Sequence, residues 1–151
     1  MHDLANTIMQ DYSGLTFSEG DAFHWSPETQ VISVEKDKFD QNSGIWSLLH
    51  EIGHSLLKHR IYRDDLELMM MEVEAWMKAR EIAKKYNIDI DEKHIEACLE
   101  GYRQWLHERS RCIECQSHCF QLNRTTYKCH NCQIKWKVPT SVICQIRKRR
   151  I

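Results

Sequence analysis

The sequence predicts an α+β protein: an acidic, mostly helical body that carries one β-hairpin, followed by a small basic module built around cysteines. Three observations point to it. Apolar residues recur at helical spacing through three long stretches, a short segment rich in aromatic and β-branched residues precedes them, and charge and cysteine content both change near residue 110. Of 151 residues, 42% are hydrophobic and 28% charged, with five glycines and two prolines, which excludes a disordered or collagen-like chain. No apolar run approaches the about 20 residues that span a bilayer. The opening Met1-His2-Asp3-Leu4-Ala5-Asn6 lacks the basic-then-apolar pattern of a secretory signal, so the expectation is a soluble, cytoplasmic protein with no membrane partner.

The net charge of −1 conceals an asymmetry. Residues 1–110 carry −9 and residues 111–151 carry +8, and six of the seven cysteines lie in the second stretch. Domains of 1–110 and 111–151 are predicted. An odd cysteine count without an export signal favours thiolate–metal chemistry over disulfides.

In chain order, residues 1–12 suit a short helix. Phe23-His24-Trp25 and Gln30-Val31-Ile32-Ser33-Val34 flank Ser26-Pro27-Glu28-Thr29, a turn with proline second, and predict a hairpin. Asp40-Gln41-Asn42-Ser43 offers N-caps for a helix over 44–60, whose stripe is Ile45, Leu48, Leu49, Ile52, Leu56 and Leu57. A helix over 64–86 stops at Asn87, and Asp89 or Asp91 caps another that runs to 109. Past Arg111 only short strands are expected, near 119–122, 125–128 and 134–138.

His50-Glu51-Ile52-Gly53-His54 falls inside the second of these helices. Residues i and i+4 share a helix face, so both imidazoles reach one Zn²⁺, and Glu51 lies where its carboxylate takes a proton from a water the metal activates. A catalytic zinc needs a third ligand, and the next helix offers Glu72 and Glu74. Leu68, Glu72, Ala75, Trp76, Ala79, Ile82 and Ala83 share an apolar face on which Glu72 is the only charge. Glu74 aligns instead with Lys78, Glu81 and Lys85. A carboxylate on a core face needs a partner such as a metal, so Glu72 is the expected ligand and Glu74 a solvated charge. Met69-Met70-Met71 reads as adaptable core filling, Trp46, Trp76 and Trp105 as core anchors, and Gly53 as a site of close helix packing. His24, His59 and Tyr62 are candidate donors to a developing oxyanion, His59 being placed on the same helix as His54.

His50-Glu51-Ile52-Gly53-His54, followed by Glu72-Val73-Glu74-Ala75-Trp76, resembles the gluzincin metallopeptidases, and among them the minigluzincins and the ImmA/IrrE-like peptidases, over about residues 20–86. The resemblance implies a small zincin-like domain, His50, His54 and Glu72 as zinc ligands, and Glu51 as general base and acid in peptide-bond hydrolysis. It also implies an upstream sheet whose edge strand holds substrate extended, here residues 30–34. SprT-like proteases share a zinc-ribbon tail but take a histidine as third ligand, a more distant match.

Cys112-Ile113-Glu114-Cys115 and Cys129-His130-Asn131-Cys132 are two CxxC knuckles with the spacing of a closed, structural Cys₄ zinc site. Cys119, Cys144, His118 and His130 are extra to it. Phe120, Leu122 and Tyr127 promise little core, which leaves much of the folding energy to the metal. Lys135, Trp136, Lys137, Arg147, Lys148, Arg149 and Arg150 suggest nucleic-acid contacts through phosphates and base stacking, against docking onto a protein or the acidic body. The expected whole is a metallopeptidase with two Zn²⁺, one catalytic and one structural, acting on a protein or peptide. The alternative is a nucleic-acid-binding or regulatory ribbon protein whose HExxH zinc is non-catalytic.

Overall fold

The computed structural model describes residues 1–140 and 146–151. The protein is α+β. Helix α1 (His2–Asp11) leads into β1 (Thr16–Glu19), β2 (His24–Ser26) and β3 (Val31–Val34). Helices α2 (Asn42–Leu56), α3 (Asp65–Ala83) and α4 (Glu92–Ser110) follow, and then β4 (Gln121–Asn123), β5 (Thr126–Lys128), β6 (Lys135–Lys137) and β7 (Arg149–Arg150). Among the described residues, no helix is long and apolar enough to cross a membrane.

Two compact units result: Met1–Ile61 with Met71–Ile95, and Tyr62–Met70 with Glu96–Ile151. The packing boundary thus falls earlier than the charge and cysteine boundary at residue 110.

In the first unit, β2 and β3 form the expected hairpin, with Trp25 opposite Ile32. Strand β1 had no signal in the sequence, because three of its four residues are exposed, yet it pairs parallel to β3. The sheet order β1-β3-β2 makes Val31–Val34 the central strand, its backbone paired on both sides, with Ile32 and Val34 buried. The expectation that residues 30–34 offer a free edge is therefore corrected: β2 is the edge that lies against α2.

Helix α2 buries Ile45, Leu48, Leu49 and Ile52, and α3 buries Ala75, Trp76, Ala79 and Ile82. A Cβ on Gly53 would sit 2.7 Å from the Ala75 carbonyl oxygen, so only glycine permits this approach of α2 to α3. Helix α2 ends at Leu56, short of the predicted 60. Lys58 is left-handed at φ 55°, and the His59 N–H donates to the His54 carbonyl at 3.0 Å, closing the end with a reversal. Asn87 ends the next helical stretch in the same conformation, at φ 54°, and the Asp91 carboxylate accepts the Lys93 N–H at 2.9 Å at the start of α4. Met70 is exposed rather than core, in line with Leu66, Val73 and Met77 on α3.

The second unit is built on the antiparallel sheet β4-β5-β6-β7. Tyr127 and Trp136 are stacked at 5.5 Å and 10°, and the Trp136 indole donates to the Arg109 carbonyl at 3.1 Å. Arg109 is fully buried; its guanidinium lies 4.1 Å over the Trp105 ring and donates to the Arg124 carbonyl at 2.6 Å. The Tyr127 hydroxyl donates to Asp65. Phe120 and Leu122 are exposed, so of the three residues the sequence nominated only Tyr127 is in the core, where Trp136 and Arg109 join it.

Candidate metal centres

Helix α2 places His50 and His54 one turn apart, and α3 brings Glu72 against them; all three are buried. Their ligand atoms converge. The two Nε2 atoms are 3.0 Å apart, Glu72 Oε2 is 3.2 Å from His50, and Glu72 Oε1 is 3.6 Å from His54. Ligands about 2.0–2.1 Å from a tetrahedral zinc stand about 3.3 Å from one another, so the three groups have the spacing of such a shell. They are able to hold a metal ion.

The electrostatics of the cluster favour a cation. Burial alone would raise the pKa of Glu72, yet hydrogen bonds from His50 and His54 hold it down at about 2. Burial would lower the pKa of His54, but Glu72, with Glu51 behind it, raises it. Glu51 Oε2 accepts the backbone N–H of Trp25 at 2.7 Å, which ties this carboxylate to the edge strand β2.

Glu74 is on the exposed side of α3, where Lys78 pairs with Glu81 at 2.8 Å as the periodicity suggests. It is not merely solvated, however. Its Oε2 lies 3.3 Å from Nε2 of His59, and Nδ1 of His59 lies 2.8 Å from Nδ1 of His54. The expectation that His59 continues the helix of His54 is corrected, because the turn at Lys58 folds it back beside that residue. Burial, then the neighbouring His54, lowers the pKa of His59 against the pull of Glu74. The Tyr62 hydroxyl donates to the Thr140 carbonyl at 3.1 Å within the second unit, and His24 is exposed on β2. Sequence reasoning missed Trp25, whose N–H holds Glu51 and whose indole donates to the His59 carbonyl at 3.1 Å; nothing in a short polar strand announces that role.

The second group is Cys112, Cys115, Cys129 and Cys132, able to hold a metal ion between two knuckles of the same build. Sγ of Cys112 is 3.5 Å from that of Cys132, and Cys115 is 3.5 Å from Cys129, against about 3.8 Å for thiolates at 2.3 Å from zinc. Each knuckle turns through a left-handed glutamine, Gln116 at φ 63° and Gln133 at φ 64°. In each, an N–H donates to the first cysteine's sulfur at 3.4 Å, from Glu114 to Cys112 and from Cys132 to Cys129. Hydrogen bonding to Ser117 pulls the Cys115 thiol down to about 5, while burial pushes Cys119 up to about 11 and leaves it a thiol outside the quartet. Cys144 lies outside the described residues.

The basic residues divide. Trp136 is fully buried, which corrects its assignment as a base-stacking residue. Lys148 is tied to the Arg111 carbonyl at 2.7 Å and to Glu108, and Arg150 pairs with Glu114 at 3.0 Å. Lys135, Lys137, Arg147 and Arg149 remain exposed. The register sets Lys128 opposite Lys135 and Lys137 opposite Arg149, so four cations share one sheet face. Among the described residues none of the four forms an ion pair.

No family model, curated protein or solved structure matches the chain. The class that fold and site define is an α+β protein with two groups able to hold metal, one of His, His and Glu and one of four cysteines. A particular activity is a matter for the chemistry of those groups.

Proposed function

We propose that the protein is a zinc metallopeptidase of gluzincin type. The observation that carries this reading is the convergence of His50, His54 and Glu72 beside a Glu51 carboxylate held on an edge strand. Three ligands are one fewer than a structural zinc takes, and they leave a position for a reactant. A zinc held there supplies Lewis-acid polarisation of a water and of a scissile carbonyl. Glu51 accepts the proton of the attacking water and returns it to the leaving amine. The N–H of Trp25 fixes one carboxylate oxygen and leaves the other for this exchange. The cysteine quartet, closed by four sulfurs, has a structural part only.

A second reading has its own observation, the face of Lys128, Lys135, Lys137 and Arg149. It makes the chain a nucleic-acid-binding or regulatory ribbon protein whose HExxH zinc does no chemistry.

One experiment addresses both. Zinc-loaded full chain is incubated with reduced, unfolded casein, and new N-termini are mapped. The peptidase reading predicts cleavage by the wild type and none by Glu51→Gln, which keeps its metal. No cleavage by the wild type, with retention on DNA or RNA that falls steeply with salt, selects the second reading. Full activity in Glu51→Gln removes the assigned mechanism.

A further inference from the structure

The face of His54 turned away from Glu72 meets another histidine. His59 is fixed at both ends of its backbone: its N–H donates to the His54 carbonyl at 3.0 Å, and its carbonyl accepts the Trp25 indole N–H at 3.1 Å. Its ring then spans from His54 Nδ1, 2.8 Å away, to Glu74 Oε2, 3.3 Å away.

A proton count gives this line a direction. An ionised carboxylate only accepts, so the Nε2 of His59 that faces Glu74 carries the hydrogen. A neutral imidazole with its proton on Nε2 has a bare Nδ1, which accepts from Nδ1–H of His54. That turns Nε2 of His54, 3.0 Å from His50 Nε2 and 3.6 Å from Glu72 Oε1, toward the position a metal would take. The opposite order would set a bare His59 nitrogen against the Glu74 carboxylate. We propose that His59 and Glu74 are positioning residues that hold His54 in its Nδ1–H form and so present its Nε2 as a metal ligand.

His50 has no equivalent support. Among the described residues its buried Nδ1 has no hydrogen-bond partner, and its ring is held by packing on Trp76 at 4.2 Å. The two ligand histidines are thus oriented by different means, one by packing and one by a hydrogen-bonded line to the surface. Outer partners of this kind fix tautomer and ring angle. The inference rests on the reading of His50, His54 and Glu72 as a metal site.

The test uses the full chain and two readouts. Long-range ¹H–¹⁵N NMR of the zinc-loaded protein reports which ring nitrogens of His54 and His59 carry hydrogen, and competition between zinc and a chelator reports affinity, with the cysteine site as internal reference. The wild type is expected to show His54 Nδ1–H and His59 Nε2–H. His59→Ala is expected to weaken zinc binding at the His/Glu site by roughly 10–100-fold. Glu74→Ala, at a half-exposed position where water partly substitutes, causes a smaller loss and a mixed His59 tautomer. Glu74→Gln, whose amide oxygen still accepts, restores both readouts, which a purely structural contribution of Glu74 would not require. His54 in its Nε2–H form in the wild type, or unchanged tautomers and affinity in Glu74→Ala, overturns the relay alone. A wild type that takes up one zinc, at the cysteines, overturns the metal reading and the ligand role with it.

Discussion

The two candidate metal centres are built in opposite ways. The His/Glu group draws its members from two long helices that carry their own apolar core, and His50 is 22 residues from Glu72 in the chain. The cysteine group draws its members from two tight turns, where N–H donors and left-handed glutamines shape the sulfur cage. In the first case the fold makes the site. In the second the strands are two or three residues long and have little hold of their own, so the quartet is expected to carry much of the fold. The difference teaches which perturbations travel: a lost helix contact reaches the chemistry, while a lost thiolate reaches the backbone.

The largest effect expected from this contrast is that of Cys112→Ser. It removes a fully buried thiol and, on the reading of the quartet as a zinc site, an ion whose binding in comparable sites amounts to about 10–16 kcal/mol. Amide hydrogen exchange over β4–β7 should lose protection while α2 and the first sheet keep theirs. Equal loss in both regions would show that the His/Glu group depends on the cysteine site and would break the comparison.

Gly53→Ala is the next in size. The added methyl meets the Ala75 carbonyl at 2.7 Å, a backbone atom that moves only with α3. A destabilisation of about 2 kcal/mol is expected, together with weaker zinc binding at His50, His54 and Glu72 and an unchanged cysteine site. Denaturant unfolding and chelator competition measure the two effects. Wild-type stability would mean that the helices approach less closely than the structure shows.

How much of this was legible beforehand follows the same division. Contiguous signals read well. The HExxH pair, the knuckles, the Asn87 stop and the hairpin turn each announce themselves within a few residues, because local spacing alone sets which side chains come together. The face of Glu72 followed from helical periodicity. What escaped depends on contacts remote in sequence. Strand β1 is mostly exposed and pairs with a strand 15 residues on, which made β3 central when it had been expected at an edge. Trp136 carried the pattern of an exposed stacking residue between two lysines, but alternation in β6 turns it inward against Tyr127. Glu74 looked solvated because its own helix offers only charges around it. Its partner, His59, arrives from another element through a left-handed lysine that no propensity favours.

The zinc content of the full chain tests the central claim most directly, as it asks whether both centres exist and are independent. Elemental analysis after exhaustive dialysis should find two zinc ions per chain in the wild type and one in Glu72→Ala, the remaining ion being held by sulfur alone in its X-ray absorption spectrum. A single sulfur-bound zinc in the wild type, or two in Glu72→Ala, would contradict the account.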